Sequence, residues 1–281
     1  MPAAPFALAL LRLDGVGRVT AHRALAHFGS PEALRATPRE QVLLRLKGAP
    51  RADDIVARLF GDELDRALDA ARAQVDALAP KGVAVLASGD DGWPAGLDAL
   101  PAGVRPVCLW RYGHAEALEA PGLALLGRAG LPPPAFERAQ RLAKRHAAGG
   151  IATGAKDGFD LATQKAASGA GARVVAVAPC GLAKLAPSLR PGATALVRDG
   201  GALVSPFPMG HGPFEHDERE AALVAGAVAR VVAASTSGSP EAKALAWASG
   251  AGRPAADLDD PGAEAAVAAA LAPEADPPEA P

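Results

Sequence analysis

Three glycine-rich turns hold the residues best suited to chemistry. They are Gly127-Arg128-Ala129-Gly130, Thr153-Gly154-Ala155-Lys156-Asp157-Gly158 and Thr236-Ser237-Gly238-Ser239. Each follows a short apolar run and leads toward a helical pattern. Glycine lets the backbone approach a ligand closely, and the free N–H groups of a helix start attract anions. None of the three is a Gly-x-Gly-x-x-Gly fingerprint, and none has the Gly-Lys-Ser/Thr of a P-loop. Taken singly, each is a tight strand-to-helix turn. Three at corresponding strand ends argue for an anion-binding rim.

Other candidate constellations are weaker. Gly15-Val16-Gly17, flanked by Leu11 and Leu25, has helix-hairpin-helix spacing, with Arg18 and Arg23 beside it. Two readings stand side by side: a backbone approach to a nucleic-acid phosphate, or a plain helix corner. His211 and His216 with Glu215, Asp217 and Glu218 lack helical His-Glu-x-x-His spacing, so no metal is expected. Ser205 lacks a nucleophile elbow. Asp157 and Asp160 read as a solvated loop acid and a helix-start acid, and Cys180 reads as a small buried hydrophobe. No catalytic residue and no cofactor are assigned, and the chain is expected not to be an enzyme.

The elements that must position these turns follow from periodicity. Apolar residues from Leu8 to Leu78 recur at three- and four-residue steps, broken by Gly and Pro, which predicts short amphipathic helices and no strand before Pro80. Beyond it, seven short Val/Leu-rich runs are expected as strands: 83–87, 106–110, 123–126, 150–153, 173–178, 202–205 and 230–234. Helices are expected over 134–148, 159–169, 218–227 and 240–249. Strand runs this short, read as buried on both faces and separated by helices, imply an α/β fold with a parallel sheet covered on both faces. The expected organisation is a helical domain over 1–79, a Rossmann-like domain over 80–256 and a mobile acidic tail over 257–281, whose apolar stretch at Val267 to Leu271 allows one short helix.

Composition agrees with a globular chain. Of 281 residues, 49% are hydrophobic and 21% charged, with a net charge of −2. Two cysteines exclude a disulfide framework, and no apolar run is long enough to span a membrane, so a cytoplasmic location is expected. Residues 257–281 hold seven of the 31 acids and none of the 29 bases. The rest of the chain therefore has five more bases than acids.

The ordered motifs resemble the DprA/Smf family of DNA-processing proteins. The resemblance runs from about Leu8 to Leu258 and rests on Leu13 to Leu34, Gly92-Trp93-Pro94, Leu125-Leu126-Gly127, Thr153-Gly154 through Asp160, Ala178-Pro179-Cys180-Gly181-Leu182, Gly200 to Pro208, and Ser237-Gly238-Ser239 with Gly252-Arg253-Pro254. It implies a helical domain joined to a Rossmann-like one. It further implies a non-enzymatic, dimerising protein that binds single-stranded DNA and works with a RecA-type recombinase in recombination and natural transformation. On that resemblance phosphates would meet Gly127 and Arg128, Gly154, Lys156 and Gly158, and Ser237 and Gly238.

The chain departs from the family pattern where those contacts fall. The family's Gly-Ser-Arg is Gly127-Arg128-Ala129 here, Asp157 stands at an arginine position, and an Arg-Asn-Arg run is replaced by Glu220-Ala221-Ala222. Arg128, Lys156, Lys165 and Arg219 are the cations left to substitute. Because phosphate affinity scales with cation number, weaker binding is expected. Of the aromatics near the rim, Phe159, Phe207, Phe214 and Trp247, Phe159 is the best candidate to stack on a base, although a buried helix-start residue is the favoured reading of it. Other functions fit the same fold: a module for a nucleotide or nucleotide-derived signal, a nucleotide-cleaving enzyme, or a protein-interaction relic. Cleavage ranks low, because Thr236 to Glu241 replaces the Pro-Gly-Gly-x-Gly-Thr stretch of the cleaving relatives.

Overall fold

The computed structural model describes residues 2–156, 158–237 and 239–272. Six helices precede the first strand: α1 (Ala4–Arg12), α2 (Arg18–Phe28), α3 (Pro31–Ala36), α4 (Arg39–Arg45), α5 (Ala52–Phe60) and α6 (Asp62–Leu78). Their starts follow local chemistry. The Ser30 hydroxyl caps α3 by accepting the Ala33 N–H at 3.2 Å. Asp62, Glu63 and Asp65 occupy the first turn of α6, against the positive end of its dipole. One face of α6, carrying Leu64, Ala67, Leu68, Ala71 and Leu78, is buried.

The eight strands are β1 (Val83–Ala87), β2 (Cys108–Gly113), β3 (Leu123–Leu126), β4 (Ile151–Gly154), β5 (Val174–Val177), β6 (Ala202–Ser205), β7 (Val231–Ala234) and β8 (Ala255–Asp257). They form one sheet in the order β1-β2-β6-β5-β4-β3-β7-β8. From β6 to β8 all neighbours are parallel. The edge strands β1 and β2 pair antiparallel, and β2 is antiparallel to β6. This mixed edge differs from the parallel sheet expected. Among the described residues only a 3-10 turn lies between β1 and β2, whereas parallel neighbours need a long crossover, usually a helix.

The remaining helices are α7 (Pro133–Arg145), α8 (Phe159–Ser168), α9 (Arg190–Arg198), α10 (Asp217–Val228), α11 (Ser239–Gly250) and α12 (Ala263–Leu271). Alternate strand residues divide between two cores, as a period of two requires. Leu123, Leu125, Ile151, Val174, Ala176 and Leu203 pack under α7, α8 and α9. Ala124, Leu126, Ala152, Val175, Val177 and Val204 pack under α10 and α11. The helical front shares a third core with Val83, Val85, Cys108 and Trp110 of the edge strands.

The acidic segment begins inside this domain rather than outside it. Asp257 ends β8, Leu258 is fully buried, and α12 buries Ala263 and Val267 against the sheet. Arg138 of α7 donates to the Leu258 carbonyl, and Arg141 pairs with Glu264 at 2.7 Å. This adds one more βα unit: α12 takes up the apolar stretch at Val267 to Leu271, while β8, three residues ending in an acid, carries no apolar run that marks it as a strand. No helix of the described residues is long and apolar enough to cross a membrane.

Candidate nucleic-acid interface

From β3 the chain steps outward through β4 and β5 to β6 on one side, then crosses over to β7 and β8 on the other. At such a switch point the loops at the carboxyl ends of neighbouring strands diverge and open a crevice. Leu126 and Gly127 line it from β3, Gly154 and Lys156 from β4, Val177 and Pro179 from β5, with Glu218 of α10 and Glu241 of α11. Its free volume is about 20 Å³, room for about one water molecule.

The glycines are required by close packing. A Cβ on Gly127 would stand 2.7 Å from the Phe159 ring, and one on Gly154 would run into the Asp160 carboxyl. Gly158, at φ +71°, brings its turn against Ala129 of the first loop. Two of the three loops thus abut. Gly238 lies outside the described residues.

Lys156 is held by carboxylates. Its ammonium donates to Glu218 Oε2 at 3.1 Å and to Glu241 Oε1 at 3.3 Å. Its backbone N–H donates to Asp160 Oδ2 at 3.1 Å. Burial alone would lower the lysine pKa, but Glu241, Asp160 and Glu218 outweigh it and the net shift is upward. The other oxygen of Glu241, a residue only 3% exposed, has no hydrogen-bond partner. Three carboxyl groups around one ammonium leave this crevice poorly disposed to a phosphate.

Burial pushes the Asp160 carboxyl up to about 7, against the pull of Lys156. Between the ordinary aspartate value and 7 the folded chain keeps a proton that the unfolded chain has lost. That stabilisation is complete below pH 3.8 and is lost as pH rises through about 7. Asp160→Asn, which keeps an acceptor for the Lys156 N–H, should remove this dependence. In denaturant melts the wild type is expected to lose about 2–4 kcal/mol relative to the variant between about pH 4 and about pH 8. Parallel pH profiles for the two proteins would refute it.

The third loop is also occupied from within. The Ser237 N–H donates to Asp259 Oδ2 at 3.1 Å and the Ser235 hydroxyl to the same oxygen at 2.9 Å. The Thr236 hydroxyl donates to Asp257 Oδ2 at 2.8 Å. Carboxylates at the end of β8 and just beyond it therefore sit on the donors a phosphate would use.

Other predicted residues fall elsewhere. Phe159 is 1% exposed and packs edge to face on Phe136, centroids 5.8 Å apart. It belongs to the core, so base stacking by Phe159 is corrected: the same Gly158 turn that starts α8 points the ring inward. Lys165 lies outside the crevice, in a groove between α7 and α8 that it shares with Gln140 and Lys144. Arg128 and Arg219 are exposed, each one residue beyond a residue that lines the crevice, Gly127 and Glu218. In the helical front, Arg18 pairs with Glu220 at 2.9 Å and donates to the Gly103 carbonyl, while Arg23 donates to the Lys47 carbonyl. Both cations of the Gly15 turn, itself at φ +83°, thus serve internal contacts, which favours the helix corner.

Residues weighed for catalysis have structural tasks. The Ser205 hydroxyl donates to the Cys180 carbonyl at 2.8 Å and accepts the Phe207 N–H. Burial, and then Asp217, push the Cys180 thiol up. Among the described residues no group of three or more His, Cys, Asp or Glu could hold a metal ion.

A family model described as DNA recombination-mediator protein A matches residues 84–264. The chain belongs to that family. DNA processing protein A (DprA) from Streptococcus pneumoniae has a similar structure, with a TM-score of 0.68 at 16% identity, covering 92% of this chain and 87% of that one. DNA processing protein A from Helicobacter pylori, whose structure is described for its single-stranded DNA binding mode, gives 0.52 at 17% identity, covering 66% of this chain and 88% of that one. No curated protein matches the chain. As a family member the chain is a DNA-processing protein, and the shared fold takes in its helical front as well as its sheet.

Proposed function

We propose that this recombination-mediator family member binds single-stranded DNA across the carboxyl-end rim of its sheet, and that it does so in recombination. Family membership over residues 84–264 carries this, supported by the rim itself: abutting glycine loops with Arg128 and Arg219 exposed beside them. A RecA-type recombinase as partner, natural transformation as setting and a homodimer as working form rest on the family resemblance. Binding, not bond-breaking, is what the site is read to do.

Phosphates reaching this rim meet donors already satisfied by Asp160, Glu218, Glu241, Asp257 and Asp259. The strand must therefore track the outer cations or displace these carboxylates. Either route gives moderate affinity with a shallow dependence on salt, because few counterion-releasing contacts carry it. A single nucleotide is a poorer fit, since the crevice has room for about one water molecule and is ringed by acids.

Fluorescence anisotropy with a labelled single-stranded oligonucleotide at several salt concentrations tests this directly. Binding should be strongest at low salt, should weaken linearly on a log–log plot, and should resist competition by duplex and by mononucleotides. No binding at low salt would overturn it. Efficient competition by mononucleotides would favour a nucleotide-binding module instead.

A further inference from the structure

The loop after β6 carries a ladder of four rings that the crevice does not use. Phe207 and His211 stack with centroids 4.7 Å apart and planes 7° apart. His211 meets Phe214 edge to face at 5.2 Å, and Phe214 stacks with His216 at 5.7 Å and 3°. The ladder climbs from the core to solvent: Phe207 is 4% exposed and Phe214 is 54% exposed. Among the described residues the other exposed large apolar side chains, Leu11, Val19 and Leu44, all lie in the helical front.

Buried Asp217 fixes the ladder. It accepts from His211 Nε2 at 3.0 Å and from the Phe214 N–H at 3.1 Å, and His216 Nε2 lies 3.3 Å from it. A Cβ on Gly212, at φ +62°, would stand 2.8 Å from the same carboxylate. The loop is further pinned where the Gly181 N–H donates to the His211 carbonyl at 2.8 Å. An aromatic ring held out in water by this many contacts is preorganised for something flat. It stands at the rim, since Asp217 opens the helix whose next residue, Glu218, lines the crevice.

We infer, on the single-strand reading above, that Phe214 with His216 is a stacking platform for the unpaired bases of the bound strand. Stacking suits any base because every base has a flat π face, and it adds affinity where this rim lacks cations. It also discriminates against duplex, whose bases already stack on one another. The phosphates are left to Arg128 and Arg219, and the bases to this loop.

Phe214→Ala tests it without threatening the fold, because the ring is half exposed. Anisotropy with an oligothymidine strand should show about a ten-fold weaker affinity, with the salt slope unchanged because no cation is lost. An abasic strand of the same length should bind the wild type and the variant alike, and Phe214→Trp should retain affinity for the base-bearing strand. Equal affinity of wild type and Phe214→Ala for oligothymidine would overturn the platform and leave the single-strand reading standing. Failure of the wild type to bind either strand at low salt would overturn both.

Discussion

Glu218→Gln combined with Glu241→Gln is expected to tighten single-stranded DNA binding about ten-fold at low salt. In the folded chain these two carboxylates hold the Lys156 ammonium at 3.1 and 3.3 Å. A phosphate arriving at the crevice meets an ammonium already neutralised and two negative charges beside it. At a surface-like effective dielectric, each carboxylate within several ångströms of a phosphate opposes it by about 2–3 kcal/mol before screening. Salt and relaxation leave a fraction of that, and a ten-fold gain corresponds to about 1.4 kcal/mol. The slope of log affinity against log salt should steepen by about one, because Lys156 becomes a further phosphate contact. Asp160 stays beside Lys156, so the lysine is not stranded in a dry site. Glu241 is buried, however, and its replacement alters packing as well as charge. Glu218→Gln alone, at the more exposed partner, should move affinity in the same direction by a smaller factor. Unchanged or weakened binding in both variants would show that the strand does not approach Lys156.

What the sequence disclosed and what it hid divide along chain separation. The strand runs were legible because Leu123–Leu126, Ala202 to Val204 and Val231–Ala234 are wholly apolar and end in glycine or polar residues. Gly127, Gly154 and Lys156 were legible as one crevice because each follows a strand of the same sheet. The partners of Lys156 were not, since Glu218 and Glu241 lie 62 and 85 residues away and nothing local marks them. Nor does the sequence show that the acids at and just beyond the end of β8 turn back onto the Thr236-Ser237 loop. There, Asp257 and Asp259 read as solvating charge, when each in fact accepts from that loop. The loss of a family arginine at Glu220 was visible; its replacement role was not. Glu220 takes Arg18 from the helical front, so an acid in the DNA-facing pattern became a tie between two parts of the fold. Phe214 was visible as a rim aromatic, but only the ring geometry distinguishes it from Phe159.

Phe159→Ala is expected to destabilise the protein by about 3–5 kcal/mol and to lower its melting midpoint by about 10 °C. The ring is 1% exposed, meets Phe136 edge to face, and forms the wall against which Gly127 closes. Removing it opens a cavity under both abutting loops, and the small Ala and Gly neighbours have little side chain with which to fill it. Because the ring faces inward, affinity per folded molecule, measured well below the melting midpoint, should stay within about two-fold of wild type, against the roughly five-fold or greater loss that removing a stacked base contact brings. Phe159→Leu separates volume from aromaticity: it should recover most of the stability by refilling the site, while a base-stacking residue would lose its binding role in either variant. A stable Phe159→Ala protein with sharply reduced affinity would place the ring at the strand after all. It would mean that the loop from Lys156 to Gly158 opens on binding far enough to turn α8's first residue outward.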